Sequence, residues 1–301
     1  MKFITDFIKG IFVGVANVIP GVSGGTMAVS FGVYDKLLSS ISGLLKNFKK
    51  SFLTLLPIML GMAFGICAFT FVLPVMLKEQ PFITSAAFTG LILGGLPGLL
   101  GSLRDAKARD TKVNIALCVI IFLIMFAIAA SMPFLKGDKE SGMLLAANAK
   151  NIAIVPFMGV IAAAAMVIPG VSGSLMLMIL GYYFGIITSI KDFLSALKSF
   201  DTAILLDRAL ILVPFAIGCV LGIFFISKLI TFLLKRFPTA TYSGILGLVA
   251  ASPLSVFCKV DQEYSMAGTN TLQLILALVV CAACILVTLF IGSLGKENGE
   301  I

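Results

Sequence analysis

Leu272–Gly292 and Ile115–Pro133 each run for about 20 residues without a charged side chain. As a helix rising about 1.5 Å per residue, such a stretch crosses the roughly 30 Å hydrocarbon layer of a bilayer. No core in a soluble chain of this size calls for it. The rest of the composition agrees: hydrophobic residues make up 59% of 301 positions and charged residues 12%, where a soluble domain is about a quarter charged. Mean hydropathy is +1.12. The chain is expected to be an all-α integral membrane protein.

A second feature organises the spans. Ile19-Pro20-Gly21-Val22-Ser23-Gly24-Gly25-Thr26-Met27 returns as Ile168-Pro169-Gly170-Val171-Ser172-Gly173-Ser174-Leu175-Met176, 149 residues later. Gly32 and Tyr34 match Gly181 and Tyr183 at the same offset. Pro57, Gly61 and Gly65 match Pro214, Gly218 and Gly222 at 157, and Phe88-Thr89-Gly90 resembles Tyr242-Ser243-Gly244 at 154. Echoes in one order at near-constant offset indicate one membrane domain made of two repeats, about 1–135 and 150–301, joined across Lys136–Glu140.

Each repeat reads as a broken apolar region followed by three spans. The expected spans are Phe52–Leu77, Phe82–Leu103 and Val113–Pro133, then Ala209–Leu234, Ala240–Phe257 and Thr271–Gly292. The apolar arm before the first break, Ile11–Ile19, reaches about 14 Å as helix, only to the bilayer midplane. Proline pushes the preceding residue out of helical geometry, and glycine accepts turns closed to other residues. A turn over Pro20–Gly25 is expected, with a second helix starting near Thr26. If both broken regions are re-entrant hairpins and the N-terminus is cytoplasmic, 14 of the 22 basic residues fall inside; if both cross, 10 do. The positive-inside rule favours the hairpins. Three crossings per repeat then make the repeats inverted, and the two tips are expected to meet near the midplane.

Non-helical backbone at that depth survives only inside protein or beside a wet cavity. Inverted repeats with broken helices are a transporter arrangement. Ser23, Gly24, Gly25 and Thr26 lead into one helix start, and Ser172, Gly173 and Ser174 into another. Helix starts offer unpaired N–H groups and partial positive charge, glycines admit a ligand to the backbone, and hydroxyls add donors, which is how phosphate is bound. Asn17 can add an amide, and Pro20, Gly21, Pro169 and Gly170 shape the turns. The bland reading is close helix packing by small residues; the second copy tips the balance toward a site. Tyr34 and Tyr183 are expected as interfacial anchors, and the methionines near the breaks as packing residues.

Other classes fit poorly. The basic residues sit in short loops rather than in a stripe, so the net charge of +8 marks topology and not nucleic-acid binding. With no histidine, no carboxylate pair and no metal-spaced cluster in the apolar regions, neither catalysis nor a cofactor is expected. Cys281-Ala-Ala-Cys284 has redox spacing, but in a membrane helix these are expected to pack as small apolar residues. The polar Asp6 and Lys9 argue against a signal peptide at the start.

The run Val15-Ala16-Asn17-Val18-Ile19-Pro20-Gly21-Val22-Ser23-Gly24-Gly25-Thr26-Met27-Ala28, followed by Phe31-Gly32-Val33-Tyr34, resembles the signature of the DUF368 membrane proteins. Ile168–Gly173 and Gly181-Tyr182-Tyr183 resemble that family's second repeat, with Ser174-Leu175 replacing Gly25-Thr26. The resemblance implies a polyprenyl-phosphate transporter in the bacterial cytoplasmic membrane, returning undecaprenyl phosphate from the outer to the inner leaflet for envelope synthesis. The residues alone leave a transporter of a small soluble anion open, and behind it a lipid-phosphate enzyme or a scaffold.

Overall fold

The computed structural model describes residues 2–18, 23–109, 114–135, 145–266 and 268–296. All regular structure among them is helical: α1 (Lys2–Ala16), α2 (Gly24–Ser30), α3 (Tyr34–Gly43), α4 (Phe48–Glu79), α5 (Pro81–Arg109), α6 (Ile115–Ser131), α7 (Ala149–Val167), α8 (Gly173–Ile179), α9 (Tyr183–Ser199), α10 (Thr202–Arg236), α11 (Pro238–Tyr264) and α12 (Thr271–Lys296), with a 3₁₀ turn at Met132–Phe134.

Seven helices among the described residues are long and apolar enough to cross a membrane: α4, α5, α6, α7, α10, α11 and α12. Six hold the expected spans, apart from Val113, which lies outside the described residues. The seventh, α7, was expected only as a hairpin arm, yet it has 19 residues. Its extra turn has a cap: Asn148 Oδ1 accepts the Asn151 N–H at 2.8 Å, so the helix starts before the apolar run does. The arm before the first break is also longer than its apolar part. α1 starts at Lys2 because Asp6 does not stop it; the Asp6 carboxylate pairs with the Lys36 ammonium on α3, both side chains largely buried.

The arms after the breaks are short, which the sequence reading did not anticipate. α2 and α8 have seven residues each and end in the same cap. Gly32 takes φ +67° and Gly181 φ +78°. Val33 N–H donates to Ala28 O and Gly32 N–H to Val29 O; Tyr182 N–H donates to Leu177 O and Gly181 N–H to Met178 O. These are Schellman caps, in which a left-handed residue closes the last turn and satisfies its carbonyls. At the second, α8 and α9 meet at 111°.

The chain divides into two units. The first comprises 1–133, 168–171 and 227–301. Its centre is α5 beside α11, whose apolar windows are 56% and 61% buried, against 11% for α6 and 17% for α12. α12 covers α5, and α6 covers α11. Gly90 and Gly94 let α12 approach: a Cβ on Gly94 would lie 2.8 Å from Ile285 O. Gly247 does the same for α6 at Phe122. Cys281 and Cys284 lie against Gly90, both as free thiols, so packing explains their spacing. α1 packs along α4, where a Cβ on Gly61 would strike the Phe7 carbonyl and one on Gly65 the Ile11 carbonyl.

The second unit comprises 134–167 and 172–226. Gly218 admits the Pro156 carbonyl and Gly222 the Val160 carbonyl, drawing α7 and α10 together. Val155, Ile186 and Ile211 form its apolar core. Arg208 ties the unit's end: its Nε lies 3.3 Å from the Asp192 carboxylate and its Nη1 donates to Leu145 O at 3.1 Å.

Neither unit coincides with 1–135 or 150–301, the two repeats expected from the sequence, because α6 packs on α11 and α12 on α5.

Candidate functional site

The first unit contains residues from both breaks. Thr26, in the first turn of α2, is fully buried. Its Oγ1 accepts the N–H of Gly170 at 2.7 Å and lies 3.3 Å from Ser252 Oγ on α11. The Ser252 hydroxyl donates to Leu248 O at 3.1 Å. With that proton committed, Ser252 can only accept from Thr26, and a directional chain results: Gly170 N–H to Thr26, Thr26 O–H to Ser252, Ser252 O–H to Leu248. A buried, fully satisfied chain of this kind rigidifies its surroundings. Gly170 reaches it with φ +76°, and a Cβ there would lie 2.7 Å from Leu248 O.

Ser23 stands at the N-cap of α2 with extended backbone (φ −97°, ψ 133°), and its main-chain oxygen accepts from Met27 N–H. Its side chain does not cap the helix; Oγ donates to Ile168 O at 3.4 Å. Ser23 and Thr26 of the first break therefore bond to Ile168 and Gly170 of the second. Pro169 and Gly25 are buried. Gly24 makes room for the Asn17 amide: a Cβ there would sit 2.7 Å from both terminal atoms of that side chain. Asn17 is exposed and donates to Val13 O at 2.9 Å. Pro20 and Gly21 lie outside the described residues.

In the second unit, Ser172 N-caps α8, accepting Leu175 N–H at 3.4 Å, and its hydroxyl pairs with that of Ser174 at 2.9 Å. Ser174 is exposed. Gly173 is buried where a Cβ would strike the Ala162 carbonyl, so its role is the α7–α8 approach. The matched serines Ser23 and Ser172 thus do different work.

Two expectations change. The hydroxyl of Thr26 is committed to protein partners, so it offers no proton to a phosphate in this conformation. Tyr34 is buried, not an interfacial anchor; burial raises its phenol above the ordinary range, with the Asp35 charge adding to it. Asp35 receives a hydrogen bond from the Tyr242 hydroxyl at 2.7 Å. Desolvation of its carboxyl raises the Asp35 pKa, and the Tyr242 bond pulls it partly back. The sequence reading missed Ser252, which sits in a span with no motif around it. Among the described residues no group of three or more His, Cys, Asp or Glu could hold a metal.

The undecaprenyl phosphate translocase-like family model matches residues 13–274. The chain belongs to that family. It is 29% identical over 294 residues to a polyprenyl-phosphate transporter of Staphylococcus aureus, covering 97% of each chain. It is 31% identical over 264 residues to a polyprenyl-phosphate transporter of Vibrio cholerae, covering 83% of this chain and 76% of that one. No solved structure matches.

Proposed function

We propose that this chain carries a polyprenyl phosphate, undecaprenyl phosphate in the bacterial cell, from the outer to the inner leaflet of the cytoplasmic membrane for reuse in envelope synthesis. It does so as a transporter, without catalysis. The contact between the two breaks, Gly170 N–H on Thr26 Oγ1, is the observation that carries the reading. Non-helical backbone brought together among membrane helices is what a polar headgroup needs in order to pass, since bare phosphate in hydrocarbon is prohibitively costly. The prenyl tail can stay in lipid. The names of the two relatives support the same substrate.

In this reading the chain is two inverted repeats with the N-terminus cytoplasmic. Support comes from matched contacts. Gly61 meets Phe7 and Gly218 meets Pro156; Gly65 meets Ile11 and Gly222 meets Val160. The glycines are 157 apart and their partners 149 apart, the two offsets found in the sequence. Asn17, Pro20, Gly21, Ser23, Gly24, Gly25, Thr26, Pro169 and Gly170 are the phosphate-binding residues of this reading in the first unit, and Ser172, Gly173 and Ser174 those in the second. The Thr26 chain is the closed state of the first set, and opening it releases the hydroxyl and N–H donors to the phosphate.

The test is reconstitution into liposomes with polyprenyl phosphate in one leaflet and, separately, radiolabelled inorganic phosphate outside. Loss of the lipid phosphate from its starting leaflet with no uptake of inorganic phosphate is expected. Uptake of the soluble anion without lipid movement would replace this function with the small-anion reading.

A further inference from the structure

A groove between α5, α6 and α11 lies within the first unit, and its lining includes no residue of the breaks. Its volume is about 250 Å³. Ile115, Val119 and Phe122 of α6 give it an apolar wall, and Lys107 and Thr239 also line it. Thr239 is the second residue of α11, a 27-residue helix that opens with Pro238. It is 3% exposed, and its hydroxyl has no hydrogen-bond partner. A buried hydroxyl left unpaired costs about 1–3 kcal/mol, and a ligand oxygen in the groove would offset that cost. First-turn N–H groups of a long helix add donors and partial positive charge, and the exposed Lys107 ammonium adds a full one.

We propose that this groove is a second binding site, for a single-chain lipid ending in a phosphate monoester. The phosphate sits between Thr239, the first turn of α11 and Lys107, and the chain lies along Ile115, Val119 and Phe122. The apolar wall favours a lipid over a free phosphate, and α6 is exposed over most of its length. The narrow volume suits one chain rather than the two of a phospholipid. A monoester matches the donors better than a diester, having more terminal oxygens and more charge. The inference rests on the proposed function: with a cytoplasmic N-terminus, Lys107 lies at the inner face, and the groove holds the lipid after passage.

The test uses the full chain in nanodiscs with a polyprenyl phosphate bearing a diazirine near its head, and adducts are mapped by mass spectrometry. Adducts on 115–122 are expected, competed by unlabelled polyprenyl phosphate but not by polyprenol or phosphatidylglycerol. Lys107→Gln and Thr239→Val should each lower them about tenfold, and Thr239→Ser should restore them. Lys107 is exposed, so its variant tests the site without disturbing the core. Unchanged adducts in Lys107→Gln, or equal competition by polyprenol or phosphatidylglycerol, would overturn the site. Parallel liposome transport separates the two ideas: transport without adducts removes this site alone, and adducts without transport remove the proposed function alone.

Discussion

The backbone N–H of Gly170 donates to Thr26 Oγ1 at 2.7 Å across 144 residues of sequence. Thr26→Val keeps the shape and removes the acceptor, stranding the Gly170 N–H and taking the Thr26 donor away from Ser252 Oγ, which keeps its own bond to Leu248 O. A loss of about 1–3 kcal/mol is expected, with reduced lipid transport, while Thr26→Ser stays near wild type. Thermal unfolding in detergent and liposome transport read the two effects.

Glycines with positive φ should differ in sensitivity. Gly32→Ala meets only backbone strain, since nothing lies within 4 Å of the added methyl; about 1–2 kcal/mol is expected. Gly170→Ala adds a clash with Leu248 O to the same strain and should be the more damaging. Unfolding temperatures of the two variants in one detergent decide the order.

The α1–α4 and α7–α10 approaches should fail alike. Gly61→Val and Gly218→Val each drive a side chain into a facing carbonyl, and both are expected to cut the yield of folded protein several-fold on size-exclusion chromatography. Gly98→Ala is the control. Its Cβ meets nothing within 4 Å, so a gain of about 0.5–1 kcal/mol from helix propensity is expected.

Asp6→Lys should cost about 3 kcal/mol by setting a second ammonium against the largely buried Lys36. The double variant Asp6→Lys with Lys36→Asp should recover part of that loss. A double-mutant cycle on unfolding measures the coupling.

The Asp35 carboxyl has its pKa raised above 3.8 in the folded chain. The folded state then binds the proton longer than the unfolded one, so this residue's contribution to stability falls as pH rises from 3.8 through the raised value. Tyr242→Phe removes the hydrogen bond that holds the value down, so the fall should extend to higher pH and grow larger. Below 3.8 the Asp35 contribution is the same in both proteins. Unfolding temperatures across pH compare them.

The spans were legible because lipid imposes one rule, about 20 apolar residues per crossing, and α4, α5, α6, α10, α11 and α12 obey it. At the first break the helix was expected to start near Thr26 and starts at Gly24, while Pro20, Gly21 and Val22 lie outside the described residues. The break at 168–171 announced itself by composition. The short length of α2 and α8 did not: one glycine each, Gly32 and Gly181, ends them, and only its positive φ shows that it caps. Arm length was misjudged at Asp6 because a distant lysine pays its burial cost. The partners of Thr26 were hidden for a related reason. Ser252 lies 226 residues away in an ordinary span, and no local pattern reveals which hydroxyl a buried threonine will meet.

The most direct measurement locks the breaks together. In a background without the six native cysteines, Ser23→Cys with Ile168→Cys puts one thiol in each break, on two residues whose hydroxyl and main-chain carbonyl now lie 3.4 Å apart. Fully oxidised protein in liposomes should leave polyprenyl phosphate in its starting leaflet, and reduction should restore transfer. Transfer at the same rate by oxidised and reduced protein would contradict the claim that the phosphate passes by parting these tips.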